Sequence, residues 1–163
     1  MPRPDHIFVP VTRADFPLLR RWLSGPHVRE WRDPPERELE MISRELEDGA
    51  VGMRVVHHGW RPFACVQDCP AHHREMPHYA DFPPGTRAMD TFRGEPDMLG
   101  RGHAACHLRA RAGALPAQGF LAVVIDPGPA SERAVRAHRR AGFTGDRTVP
   151  WEDGDPVIVM EFR

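Results

Sequence analysis

An aspartate near the end of an apolar stretch, Arg87-Ala-Met-Asp90, is followed by a glycine-rich segment, Leu99-Gly-Arg-Gly-His-Ala104, and these two places concentrate the residue types best suited to chemistry. Glycines at 100 and 102 let the backbone approach a ligand closely. A helix opening behind them would turn its unpaired N–H groups and the positive end of its dipole toward an anion such as phosphate. The segment is not a Walker loop, since no Gly-Lys-Ser/Thr follows, and it is incomplete as Gly-x-Gly-x-x-Gly. Taken alone, a Gly-x-Gly before a helix serves a turn or a packing contact equally well. Asp90 offers a carboxylate that can anchor an ammonium group. With an ordinary pKa of about 3.9 it is a weak base, so it would act by anchoring the cation or through water unless burial raises it. Without neighbours to support it, Asp90 reads as a solvated strand residue.

Cys65, Cys69, His72 and His73 place four potential zinc ligands in a short stretch. On an extended strand the two cysteines would stand about 13 Å apart, too far for one ion unless the strand ends between them. No metal is expected. Cys106 and His107 are adjacent on an expected helix and so do not face each other, which makes the cysteine a small packing residue. His57, His58 and His78 read as loop or surface residues. Trp31 could stack on a sugar or serve as a core or lid residue. Glu30, Asp33, Asp68, Asp81 and Asp90 are the acids available to a cationic ligand.

These residues need elements to position them. A strand at 6–11 with Ile7, Val9 and Val11 on one face leads into Thr12-Arg-Ala-Asp15, which has the capping-box form. Leu18, Leu19, Trp22 and Leu23 form the stripe of the helix behind it. A second helix runs from Pro35 to Gly49. Strands at 51–57 and 61–68 join across His58-Gly59, and Cys69–Gly85, rich in Pro and His, is a candidate substrate loop. A strand at 86–92 precedes the glycine segment, whose helix ends near Pro116. The apolar run 120–125 suits a strand buried on both faces. A helix at 131–141 closed by Gly142 and a hairpin of 147–151 with 156–162 complete the order β-α-α-β-β-β-α-β-α-β-β.

With 163 residues, 40% hydrophobic, the chain suits one domain spanning 1–163. Its 22 basic residues are all arginine and are balanced by 23 acidic ones, which gives no global bias toward nucleic acid. No apolar run approaches the ~20 residues needed to cross a bilayer, and the first residues lack a signal-peptide layout. Three cysteines fit reduced thiols. A cytoplasmic protein without a membrane partner is expected.

Read together, Arg87–Asp90, Gly94–His103, Asp126-Pro-Gly-Pro129 and Arg133-Ala-Val-Arg-Ala-His-Arg-Arg-Ala-Gly-Phe143 resemble successive motifs of GNAT acetyltransferases, and more narrowly aminoglycoside N-acetyltransferases of the 6′ type. Phe16–Leu23 and His27–Trp31 are similar to that group too. The resemblance implies an α/β fold of the α+β kind, with a mixed, largely antiparallel sheet splayed in its middle and flanked by helices. It implies acetyl-CoA as cosubstrate, with no metal. Backbone groups near Thr91 and Phe92 would meet pantetheine, while Leu99, Gly100, Arg101, Gly102, His103 and Ala104 would hold the pyrophosphate. Asp90 matches the position that binds the acceptor ammonium, and an aminoglycoside would be held by Glu30, Trp31, Asp68, Asp81, Asp90 and Asp126. His138 stands where many relatives place the tyrosine that protonates the leaving thiolate. Ser131 replaces the usual asparagine after Asp-Pro-x-Pro and also suits a helix N-cap. Arg32 replaces the second aromatic of a Trp-Trp pair. Other acceptors, such as a siderophore-type amine or hydroxylamine or a protein N-terminus, and a non-catalytic CoA-binding module, are alternatives. Monomer and homodimer both remain open.

Overall fold

Prolines open the early helices and glycines close the longer ones. Pro17, Pro26 and Pro35 stand in the first turns of α1 (Phe16–Leu23), α2 (Pro26–Arg29) and α3 (Pro35–Asp48), where a missing N–H costs nothing, and Gly49 ends α3. The computed structural model describes residues 6–74, 76–151 and 153–163. Seven strands take the order β1-β2-β3-β4-β5-β7-β6 in a largely antiparallel sheet: β1 (His6–Pro10), β2 (Gly52–His58), β3 (Arg61–Pro70), β4 (Thr86–Arg93), β5 (Ala122–Ile125), β6 (Phe143–Pro150) and β7 (Pro156–Phe162). The parallel pair is β4 with β5. Two compact units are distinguished, and their boundaries fall within β3, within β4 and between Arg101 and Gly102.

The first unit comprises the chain up to Gln67 together with Thr91–Arg101. Its core joins Leu19, Trp22 and Leu23 of α1 to Leu39 and Ile42 of α3 and to Met53 and Val55 of β2. Thr12 and Asp15 form the expected capping box, but they open a 3₁₀ turn that runs into α1. Ile7 and Val9 share one face of β1, the outer strand of the sheet, and both are exposed, although Val9 lies opposite buried Val55. A Cβ added at Gly94 would lie 2.0 Å from the Trp22 ring, and the Gly94 N–H donates to the Phe63 carbonyl at 2.8 Å. Gly94→Ala is therefore expected to cost about 1–3 kcal/mol through overpacking, read as a lowered melting temperature. An unchanged melt would show that Trp22 can move aside.

The second unit comprises Asp68–Asp90 and Gly102–Arg163. Helices α4 (His103–Ala114) and α5 (Glu132–Ala141) pack together, and Arg109 of α4 donates to the carbonyls of Ala141 and Arg140 at the end of α5, where a cation also suits the helix dipole. Tyr79, Ala88, Val124 and Val159 share a core cluster. The expected strand at 120–125 is shorter: β5 begins at Ala122 and Leu121 is 73% exposed. In contrast, β6 starts at Phe143, well before the expected Arg147. A register shift between Thr144 and Arg147 breaks the alternation that a strand pattern needs, which hid its first half. Glu152, in the expected hairpin turn, lies outside the described residues.

Candidate active site

β5 runs beside β4 only from Thr86 opposite Ala122 to Ala88 opposite Val124, while β4 continues to Arg93. β5 ends at Ile125, one residue past that last pair, so the C-terminal part of β4 extends beyond it. The Gly94 N–H bonds to Phe63 of β3, so the Arg93 carbonyl, trans to it across the same peptide, points to the edge away from β3, where it accepts from the His27 Nε2–H at 2.9 Å; the Thr91 carbonyl accepts from Arg32 at 3.3 Å. Carbonyls alternate along a strand, so that of Phe92 faces β3. The Phe92 ring lies edge-on to Trp22 and beneath the Arg32 guanidinium at 5.1 Å. Its side chain is thereby committed. The Thr91 hydroxyl is committed too, donating to the Cys65 carbonyl at 2.8 Å.

Within the second unit, Asp90 at the C-terminal part of β4 and Asp126 just after β5 lie close enough that the charge of Asp90 raises Asp126. The larger cause of that raised carboxyl is burial, and a hydrogen bond from His78 partly offsets it, His78 Nε2 lying 2.8 Å from Asp126 Oδ2. His78 was expected at the surface. It is buried, in a short 3₁₀ turn (Pro77–Tyr79), its ring tilted against that of Tyr79 at 4.1 Å between centroids. Burial and the neighbouring Asp126 push the Tyr79 hydroxyl well above its ordinary value. That hydroxyl is buried with no hydrogen-bond partner in the described structure. Sequence reasoning passed over Tyr79, although it is the single tyrosine of the chain and sits in the loop already singled out.

The glycine segment follows a 3₁₀ turn at Pro96–Met98, and α4 starts at His103 with Gly102 as its N-cap. Gly102 has φ +81°, and nothing lies within 4 Å of a Cβ placed on it. A side chain there meets no protein atom and costs the fold only backbone strain, but it would stand where N–H groups must approach a phosphate. Gly102→Val is therefore expected to weaken coenzyme A binding at least about 100-fold while the melting temperature falls by only a few degrees, on the scale of about 1–3 kcal/mol of strain. Unchanged binding by calorimetry would remove the loop from the site. Ala104 is buried, Leu99 and His103 are half-buried, and Gly100 and Arg101 are exposed. Ser131 occupies the N-cap of α5, yet its hydroxyl makes no capping hydrogen bond. His138 is buried on α5, its ring 6.2 Å from that of Phe143.

Asp68 is a correction. Its carboxylate is buried and accepts from Arg87 at 2.7 Å on one oxygen and from Arg111 at 2.8 Å on the other, while the Arg87 guanidinium lies over Phe120 at 4.8 Å. Both oxygens are taken by arginine, so Asp68 cannot also hold a cationic ligand. Asp81 lies at the surface, paired to Arg147 at 3.4 Å. Glu30 is exposed at the end of α2 beside Trp31, which is 55% exposed. Of the proposed zinc set, Cys65 is packed in the first unit's core, Cys69 against the second's, and His72 Nε2–H is donated to the Phe82 carbonyl. His107 is fully buried, donating Nδ1–H to the His103 carbonyl, a packing residue as expected.

Comparison with known proteins agrees with this geometry. Residues 11–150 match the family described as an acetyltransferase (GNAT) domain. An aminoglycoside N(6′)-acetyltransferase type 1 of Klebsiella pneumoniae is 24% identical over 162 residues, covering 94% of this chain and 81% of that protein. The structure of AAC(6′)-Ib in complex with ribostamycin and coenzyme A has a TM-score of 0.86 at 24% identity, covering 97% of this chain and 93% of that one. The same enzyme with coenzyme A and kanamycin gives 0.85 at 25% identity, covering 96% and 93%. Among the described residues no helix is long and apolar enough to cross a membrane. The chain belongs to the GNAT acetyltransferase domain family and is an acetyltransferase that takes its acyl group from acetyl-CoA.

Proposed function

We propose that the protein transfers the acetyl group of acetyl-CoA to a primary amine of an aminoglycoside, by direct attack in a ternary complex. The observation that carries this reading is the juxtaposition of Asp90 and Asp126 beside the stretch of β4 that extends beyond β5. Two carboxylates in a partly buried setting suit an acceptor with more than one ammonium group. The relatives named for aminoglycosides support the same class.

In this reading the pyrophosphate rests on Leu99–Ala104 at the start of α4, with Ser131 at the start of α5 as a further donor. The pantetheine arm follows the β4 edge at Thr91 and Phe92. The amine nitrogen attacks the thioester carbonyl, the C–N bond forms, the C–S bond breaks, and a backbone N–H stabilises the oxyanion. Asp90 anchors the ammonium and accepts its proton, directly or through water. Coenzyme A leaves as a thiolate, and His138 is the residue assigned to protonate it. Glu30 and Trp31 of the first unit and Asp81 of the second are further residues assigned to the acceptor.

The test is thiol release from acetyl-CoA with aminoglycosides beside polyamines, lysine derivatives, hydroxylamines and short peptides. Turnover confined to aminoglycosides is expected. Turnover on a peptide or hydroxylamine instead moves the acceptor to that class, and silence alongside measurable acetyl-CoA binding favours a non-catalytic module.

A further inference from the structure

We propose that His78 is a positioning residue for the acceptor: its ring donates Nε2–H to Asp126 and keeps that carboxylate ionised and oriented beside Asp90. The proposal rests on the reading of Asp90 and Asp126 as acceptor-side acids.

The His78 side chain is 0% exposed, and one of its nitrogens is bonded to Asp126 Oδ2 at 2.8 Å. The other, Nδ1, is buried with no hydrogen-bond partner. A carboxylate can only accept, so Nε2 carries the shared proton. A buried N–H with nothing to accept it leaves the full desolvation cost unrepaid, which assigns the bare lone pair to Nδ1. The Tyr79 ring, tilted by 46° with its centroid 4.1 Å away, packs against the imidazole. A histidine kept in one tautomer, fully buried, in a loop otherwise rich in exposed residues has a task beyond filling space.

That task follows from the groups around Asp126. Burial raises its carboxyl, Asp90 on β4 raises it further, and His78 and Tyr79 on the 3₁₀ turn lower it; Cys69 on β3 adds its charge at Tyr79. Without the His78 hydrogen bond, burial and Asp90 act with less opposition, and Asp126 takes up a proton at higher pH. A protonated carboxyl no longer attracts an ammonium group. Loss of His78 therefore moves the acid limb of acceptor use upward in pH, leaving the acyl donor untouched.

The experiment compares wild type, His78→Phe and His78→Gln with kanamycin and acetyl-CoA. His78→Phe is expected to shift the acid limb of kcat/KM for kanamycin upward by about one pH unit, the size of one hydrogen bond to a charged group. The KM for acetyl-CoA stays as in wild type, and His78→Gln, whose amide can donate in the same place, returns the limb toward wild type. An unshifted limb in His78→Phe, or a shift as large in His78→Gln, overturns the proposal. Two measurements on the wild-type protein need neither variant nor acceptor. Imidazole ¹⁵N NMR is expected to show a protonated Nε2 and a bare Nδ1 at His78, and the reverse tautomer overturns the assignment. A ¹³C-carboxyl titration, assigned with Asp126→Asn, is expected to show Asp126 titrating above an ordinary aspartate. Failure to acetylate kanamycin would count against the proposed function, while the NMR result would still decide the role of His78.

Discussion

Asp90→Asn is expected to lower kcat/KM for the acceptor amine by about 100- to 10,000-fold, the range over which positioned general bases act, while the acetyl-CoA dissociation constant stays within about twofold of wild type. The asparagine is nearly isosteric, so the β4 backbone that faces the cofactor is left in place. What disappears is the negative charge that anchors the ammonium and the oxygen that accepts its proton. The substitution also removes a charge that raises Asp126, and the remaining carboxylate ionises more readily. Residual binding of a polycationic acceptor through Asp126 is therefore expected, and the loss should fall mainly on kcat. Steady-state kinetics with calorimetry of the coenzyme check this. A variant that keeps kcat would show that the amine loses its proton elsewhere, and equal loss of both substrates would indicate misfolding.

The second large effect concerns a residue that looked functional and is structural. Asp68→Ala leaves the guanidinium groups of Arg87 and Arg111, only 11% and 9% exposed as side chains, without their shared counter-charge. Breaking a buried ion pair from one side costs about 3–5 kcal/mol, more than the pair's net contribution, because the uncompensated charge remains buried. For a chain of this size the melting temperature should fall by at least about 6 °C. Replacing all three by apolar residues of similar volume should recover much of that loss, since no charge is then stranded. A small thermal effect together with a raised KM for the amine would instead return Asp68 to the acceptor site. Thermal unfolding followed by circular dichroism distinguishes these outcomes.

Local signals were legible where they depend on neighbours along the chain. The glycine segment and the helix it opens, the capping box at Thr12, and the stops at Gly49 and Gly142 are written within a few residues. The positions of Asp90 and Asp126 followed from the motifs that flank them. The shared face of Ile7 and Val9 was legible from alternation, but alternation does not show whether anything covers that side, and both are exposed. The start of β6 was missed because a register shift interrupts the period.

By itself, then, the sequence determined the GNAT class and, apart from the short helix α2, the order of helices and strands, both of which rest on spacing along the backbone. Only the tertiary structure decided which acids are available to an acceptor. Asp68, Asp81 and Asp126 are equally acidic letters, yet one is enclosed by two arginines, one is exposed to solvent, and one is held by a buried histidine 48 positions away in the chain. A carboxylate's role depends on its partners and its access to water, and both are set by chain segments that meet only on folding.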